Sequence, residues 1–321
     1  MIRILLALCA IPAALFAIAC SSGGSRAALA PNGPPGSPSA TAAAGCRPLL
    51  AHDAGSFSES LTSGGVDRTY ILYVPAGYDG GRRLPLVVAY PGYAQPADSL
   101  AAYDGLDPLA DASGFVVVTP NAAGNPQFWN EGKSAALADD VQFTKDLLAK
   151  VEQGLCIDAA RVYLTGYSNG GGMALRAACE MPAAIAAVGV VSAYYPNCAA
   201  AVPLIAFHGT SDPVVPFEGG ASAVFPGVTF PVVRRSVSEW ARTLGCDGLP
   251  RISRPSQAVE LSTFLRCNFG DGEAQLYTII GGGHTWPGAT LVLSPLLGMT
   301  TAEVKASPTM WAFFVAHALP H

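Results

Sequence analysis

LTGYSNGGGMAL, residues 164–175, is the stretch that decides the fold. A β-branched apolar run, RVYLTG (161–166), leads into it, and a small-residue helical pattern over 169–181 leads out, with Ser168 at the corner. Gly166-Tyr167-Ser168-Asn169-Gly170 fits G-x-S-x-G in the strand–turn–helix setting that this pattern requires. A serine on so sharp a turn takes a strained backbone, and side chains at 166 and 170 would collide with the neighbouring strand and helix. The start of the helix puts partial positive charge beneath Ser168, and the N–H of Asn169 can face a developing oxyanion. The competing interpretation is an ordinary Gly-rich turn, which the strand before and the helix after make the weaker one.

Working outward, short apolar strand patterns occur at 69–75, 84–92, 115–120, 186–193, 202–209 and 274–280. Between them lie helical spacings at 99–114 (with Asp98 as its N-cap), 134–154, 232–245 and 307–319, the last started by Ser307 and Pro308. Continuous apolar strands alternating with helices predict an α/β fold, a mostly parallel central sheet with helices on both faces. Ligands of such sheets bind beyond the C-terminal ends of the strands.

A serine hydroxyl needs a base, and in folds with this turn the chain order is Ser, then Asp or Glu, then His. Asp212 follows the strand at 202–208, in FHGTSDPVVPF, and His284 follows the strand at 274–280, in GGGHTWPG. Both fall beyond a strand's C-terminal end, on the side where Ser168 emerges, and three glycines let the loop carry the imidazole across. His208 ends a strand and is read as ordering the Asp212 loop. Asp139 and Asp140 precede Ser168 and are read as helix-face or loop-anchoring residues.

The composition sets outer limits. Half of the 321 residues are apolar, 13% are charged and the net charge is −5, which argues against nucleic-acid binding. MIRILLALCAIPAALFAIAC (1–20) reads as a secretory signal peptide. Its end, FAIAC, is similar to a lipoprotein signal that would lipidate Cys20, although Ala17 stands where that signal usually has Leu; cleavage without lipidation stays open. Residues 21–45 are almost all Ser, Gly, Ala and Pro and read as a flexible tether. The domain proper is expected over 46–321, outside the cytoplasm, in a secreted or cell-envelope location. Setting aside Cys9 and Cys20, six of the eight cysteines remain (46, 156, 179, 198, 246 and 267), an even number suggesting disulfides in an exported chain. No spacing suggests a metal site.

Ordered blocks now identify a resemblance: RTYILYVPAGYD, PLVVAYPG, DDVQFTKDLL, RVYLTGYSNGGGMALRAACE, HGTSDPVVPF, GCDG, GGGHTWPG and MWAFF. From about Cys46 onward the chain resembles the secreted feruloyl esterase and polyhydroxybutyrate depolymerase family of α/β-hydrolases. The resemblance implies a Ser168–Asp212–His284 triad and hydrolysis of carboxylic esters without metal or cofactor. The expected substrates are feruloyl or cinnamoyl esters or polyhydroxyalkanoate-type polyesters, small or polymeric. No nucleic acid is expected as a partner, and membrane contact only through the N-terminal lipid. The resemblance also supports Cys246–Cys267, which bracket a polar stretch with little apolar periodicity, and pairs Cys179 with Cys156 or Cys198.

One departure matters. The family usually has His-Gly where this chain has Pro91-Gly92, in the loop that normally supplies the second oxyanion N–H. The backbone N–H of Tyr93 is expected to serve, with Asn169 as the other donor. Tyr93, Trp129 and Trp286 are expected to line the substrate slot. The alternative function is a catalytically impaired surface lipoprotein that binds ester-bearing or envelope ligands. A peptidase of the same fold is disfavoured, since nothing suggests an acidic pair to capture a peptide amine.

Overall fold

The computed structural model describes residues 45–196, 198–267 and 273–320. The signal-peptide and tether readings and Cys20 fall outside the described residues. The strands are β1 (Gly55–Ser63), β2 (Val66–Val74), β3 (Leu84–Tyr90), β4 (Val116–Pro120), β5 (Ile157–Tyr167), β6 (Ala187–Val191), β7 (Leu204–Gly209), β8 (Gly220–Ala221), β9 (Thr229–Phe230), β10 (Arg251–Ser256), β11 (Val259–Phe264) and β12 (Ala274–Ile279). Ten of them form one sheet in the order β1-β2-β4-β3-β5-β6-β7-β12-β11-β10. From β4 through β12 every neighbouring pair is parallel. Antiparallel strands extend both edges.

The helices are α1 (Ala97–Asp104), α2 (Leu106–Ser113), α3 (Asp140–Gly154), α4 (Asn169–Glu180), α5 (Val233–Thr243) and α6 (Ala306–Phe314). Strand alternation distributes the core between them. Leu86, Val88 and Tyr90 of β3 face α3 and α4, while Val87 and Ala89 face the layer of Leu100, Leu106 and Met310 from α1, α2 and α6. Both faces of the parallel strands are therefore covered, as their unbroken apolar runs require.

The boundaries differ from the sequence reading where local chemistry overrides periodicity. The helical pattern at 99–114 is two helices, broken at Gly105, whose φ of 69° is a left-handed conformation. Pro96, with φ fixed near the helical value, opens α1 one residue before Asp98, so Asp98 lies in the first turn and is not the cap. Helix α3 starts at 140 instead of 134 because the Asp139 carboxylate caps it through the Gln142 N–H at 3.1 Å. Helix α6 starts at Ala306 and ends at Phe314, short of 319. Ser307 does not cap it: its hydroxyl accepts from the Trp286 indole at 3.0 Å and donates to the Asp104 carbonyl. The polar stretch between Cys246 and Cys267 holds β10 and β11, a hairpin on the sheet edge. Its periodicity is weak because β10, the outermost strand, buries almost nothing.

Among the described residues there are three disulfides: Cys46–Cys156, Cys179–Cys198 and Cys246–Cys267. The third matches the expected pair, and the second selects one of the two partners left open for Cys179. The Cys46–Cys156 bond spans 110 residues and the Cys179–Cys198 bond 19. A cross-link removes more unfolded-state entropy from a longer loop. Replacing Cys46 and Cys156 by alanine should therefore lower the unfolding free energy by about 2–5 kcal/mol, more than replacing Cys179 and Cys198. Urea titration of both double variants measures this; equal or inverted losses would contradict the loop-length account.

Candidate active site

Ser168 sits between β5 and α4 with φ 54° and ψ −122°. This is a conformation that a residue with a Cβ adopts only under constraint. The constraint is visible on both sides. The Ser168 N–H donates to the Val191 carbonyl of β6 at 2.9 Å, and its carbonyl accepts from the Gly172 N–H at 3.1 Å. A Cβ at Gly166 would run into the Gly170 carbonyl, and one at Gly170 into the carbonyls of Tyr90 and Pro91. These two positions of G-x-S-x-G are glycine because backbone occupies the space a side chain would need.

Asp212 and His284 reach the same end of the sheet from β7 and β12, neighbours in the parallel stack. The Asp212 Oδ1 accepts the N–H groups of Val214 and Val215, both at 2.8 Å, and its Oδ2 accepts His284 Nδ1 at 2.8 Å. A carboxylate only accepts, so Nδ1 carries the proton and the Nε2 lone pair is left bare. Both side chains are buried. Burial pushes the Asp212 carboxyl up, but the hydrogen bond and charge of His284, with His208 and the Val215 N–H, hold it below the usual carboxylate range. His208 anchors this loop as expected, with Nε2 donating to the Val215 carbonyl at 2.8 Å and lying 3.4 Å from Asp212. Burial keeps its imidazole pKa down, toward the neutral form. His284 is held from behind as well: its N–H donates to Leu297 O at 2.6 Å, and the Tyr167 hydroxyl donates to its carbonyl at 2.6 Å.

Two contiguous hollows meet at Ser168. One, about 290 Å³, contains His284, Gln95 and Leu297; the other, about 260 Å³, contains Asn169, Glu131 and Tyr194. Tyr93, Val214 and Phe225 line both. Tyr93 is 45% exposed, and its ring meets Phe225 edge-on at 5.5 Å. A larger hollow of about 460 Å³ beside Tyr195 and Arg242 holds none of Ser168, Asp212 or His284.

Trp129 and Trp286 do not line these hollows, contrary to expectation. They are 0% and 1% exposed and belong to the two core layers. Their indole N–H groups are engaged by the Pro91 carbonyl and by Ser307, so each ring has settled inward with its polar atom satisfied. Proline at 91 has no N–H of its own, and most of the amides that follow it are already engaged. The N–H of Gly92 goes to the Gln95 side chain at 2.8 Å. Among the described residues, the N–H groups of Tyr93 and Asn169 have no protein acceptor.

Sequence reasoning missed Gln95, Tyr167 and Glu131. Gln95 and Glu131 stand close to aromatic residues in loops, in YAQ and WNEG, but neither has a periodicity that marks it. Glu131 packs against Gly172, with one carboxyl oxygen buried and unpartnered. Burial pushes its carboxyl up to about 8, partly offset by a hydrogen bond with Asn169. Asp139 and Asp140 are the anchors they were expected to be: Asp139 caps α3, and Asp140 pairs with buried Arg68 at 2.8 Å.

A family profile described as esterase PHB depolymerase matches residues 68–238. Feruloyl esterase B of Piromyces equi is 32% identical over 230 residues, 68% of this chain and 42% of its own length. The chain thus spans about two fifths of that relative. NocK of Nocardia uniformis subsp. tsuyamanensis, a provisionally assigned esterase, is 28% identical over 94% of this chain and 96% of its own. Among solved structures, the acetyl xylan esterase from Aspergillus awamori superposes with a TM-score of 0.55 at 15% identity, covering 72% of this chain and 94% of that one. That likeness bears on the fold alone.

Two measurements test the electrostatics. Glu131 favours the neutral form in the folded state, so the stabilisation is fully present below the ordinary glutamate range and is lost as pH rises through about 8. The melting temperature of Glu131→Gln relative to the native protein should therefore climb between pH 6 and 9; a constant difference would contradict the burial of a neutral carboxyl. Asp212 is the opposite case. Its contribution is present above the ordinary aspartate range and is lost as pH falls through its depressed value. Asp212→Asn should thus lose stability at pH 7 but match the native protein at the acid end of a pH-dependent denaturation series; an equal deficit throughout would refute the ionised Asp212 carboxylate.

Proposed function

The chain belongs to the esterase PHB depolymerase family, and from that premise we propose that it is a serine carboxylic ester hydrolase in which Ser168, His284 and Asp212 act together. The observation that carries this is the buried Asp212–His284 hydrogen bond opening onto the hollow that also contains the strained Ser168. The bare Nε2 of His284 takes the serine proton as Oγ attacks the ester carbonyl carbon. Asp212 holds the ring in the required tautomer and stabilises the imidazolium that forms. The oxyanion is met by the N–H groups of Asn169 and Tyr93. Collapse of the tetrahedral species expels the alcohol, protonated by His284, and water then repeats the sequence on the acyl-enzyme.

The two hollows acquire roles from this chemistry. His284 must protonate the leaving oxygen, so the alcohol occupies the hollow that contains His284. The acyl group then extends into the hollow beside Asn169, where Tyr194, Phe225 and Phe230 offer aromatic walls. Such walls suit a feruloyl or cinnamoyl acid, or the alkyl chain of a hydroxyalkanoate. Feruloyl esterase B and the feruloyl esterases C among the relatives support the same substrate class. The three disulfides support a location in an oxidising compartment outside the cytoplasm.

The test is a rate comparison on methyl ferulate, acetylated xylan, short p-nitrophenyl esters and hydroxybutyrate oligomers. The native protein should hydrolyse at least one aromatic or hydroxyalkanoate ester. Ser168→Ala should drop to less than about a thousandth of that rate, the scale of triad loss, with an unchanged circular-dichroism spectrum. Retention of activity in Ser168→Ala would mean a different nucleophile.

A further inference from the structure

Proline at position 91 removes a main-chain N–H from the loop that faces Ser168, and something else must fix the loop's peptide planes. One of the bonds that do so, to the Pro91 carbonyl, comes from a buried residue outside both hollows that also holds Asn169. We propose that Trp129 is the positioning residue of the oxyanion site, tying together the two chain segments that carry its N–H donors. The inference rests on the esterase reading and deepens it.

The geometry runs peptide by peptide. The Trp129 indole N–H donates to the Pro91 carbonyl at 2.8 Å. A trans peptide is planar with C=O and N–H opposed, so this bond sends the Gly92 N–H the other way, to Gln95 Oε1 at 2.8 Å. The Gly92 carbonyl in turn accepts from the Gln95 N–H at 3.2 Å. The N–H of Tyr93, opposed to that carbonyl, is aimed away from residue 95 and, among the described residues, meets no protein acceptor. The indole thus fixes the Pro91–Gly92 plane, the Gln95 N–H fixes the plane that carries the Tyr93 donor, and the Ala94 N–H, donated to the Gln127 carbonyl at 2.8 Å, holds the peptide after it.

The same residue grips the other donor. The Trp129 N–H donates to Asn169 Oδ1 at 2.7 Å, and Asn169 Nδ2 donates to the Trp129 carbonyl at 3.1 Å. Asn169 is the first residue of α4, so its clamped side chain fixes the turn from which its own N–H projects. Trp129 is itself immobilised. Its ring is wholly buried, edge-on to Tyr90 at 5.1 Å and stacked with Phe143 at 6.4 Å. The next residue, Asn130, donates its N–H to Asp140 at 2.8 Å, and Asp140 is paired with Arg68. Three hydrogen bonds from one rigid residue thus span Pro91 on one side and Asn169 on the other.

A residue that only fills the core would lower stability when trimmed and leave the chemical step alone. A positioning residue acts on the transition state, whose oxyanion exists only there. Trp129→Phe keeps an aromatic ring and removes the indole N–H. In the folded variant, kcat on a p-nitrophenyl ester should fall about 10- to 100-fold, the scale of a donor misplaced by about an ångström, with KM within about twofold. Binding of a trifluoromethyl ketone, which mimics the tetrahedral oxyanion, should weaken by the same factor as kcat. Asn169→Ala, which removes the other two bonds and keeps the indole, should also lower kcat with KM preserved, and it decides the matter if Trp129→Phe does not fold. Unchanged kcat in folded Trp129→Phe, or in Asn169→Ala if the first variant does not fold, overturns the proposal. Ser168→Ala in the same assay separates the two levels. If that variant is inactive while Trp129→Phe is fully active, only the positioning role falls; if the native protein hydrolyses no ester, the parent reading falls with it.

Discussion

The left-handed backbone of Ser168 is the constraint on which the rest of the site depends. A non-glycine residue there costs about 1–3 kcal/mol, and the turn persists because neighbouring main chain leaves it no alternative. The Val191 carbonyl holds its N–H, and the close approach of Gly166, Gly170 and the Tyr90–Pro91 carbonyls fills the surrounding space. The result is a hydroxyl at the end of a central parallel strand, at the start of a buried helix, open to two hollows at once. Every other element of the site is arranged around that fixed point.

The remaining parts arrive by the parallel sheet. Strands β7 and β12 are hydrogen-bonded neighbours, so the loops after them emerge side by side, and Asp212 and His284 meet although 72 residues separate them. Strand β3 is the direct neighbour of β5, so the loop after it, carrying Pro91 to Gln95, lies against the serine turn. The Arg68–Asp140 pair does similar work one layer down, pinning the loop on which Trp129 sits. Topology thus brings five distant segments, the Ser168 turn and the loops of Asp212, His284, Pro91–Gln95 and Trp129, into one site, and buried polar bonds set the final angles.

Much of this was legible in the sequence, for physical reasons. Unbroken apolar strands can only belong to a sheet covered on both faces, and G-x-S-x-G between strand and helix admits few geometries. The chain order after Ser168 then pointed to Asp212 and His284, which the fold brings within hydrogen-bond distance of each other. The edge strands β1 and β10 were not legible: β10 is exposed along nearly all its length, and β1, although it alternates between half-buried and exposed positions, has only Phe57 and Leu61 as apolar markers. The roles of Trp129 and Trp286 were misread because an aromatic near a site has the same appearance whether it faces ligand or core. Only the partner of the indole N–H distinguishes the two. Glu131 and Gln95 were invisible because their roles depend on what the fold packs beside them.

The central claim is that a strained serine faces two main-chain donors, with a histidine poised on the opposite side. The most direct measurement is a crystal structure of the protein after reaction with an aromatic phosphonate ester. The account requires phosphorus bonded to Ser168 Oγ, with the phosphoryl oxygen about 2.7–3.1 Å from the nitrogens of both Tyr93 and Asn169, and the aryl group beside Tyr194. Phosphorus on another residue, or a phosphoryl oxygen turned away from those two nitrogens, would contradict it.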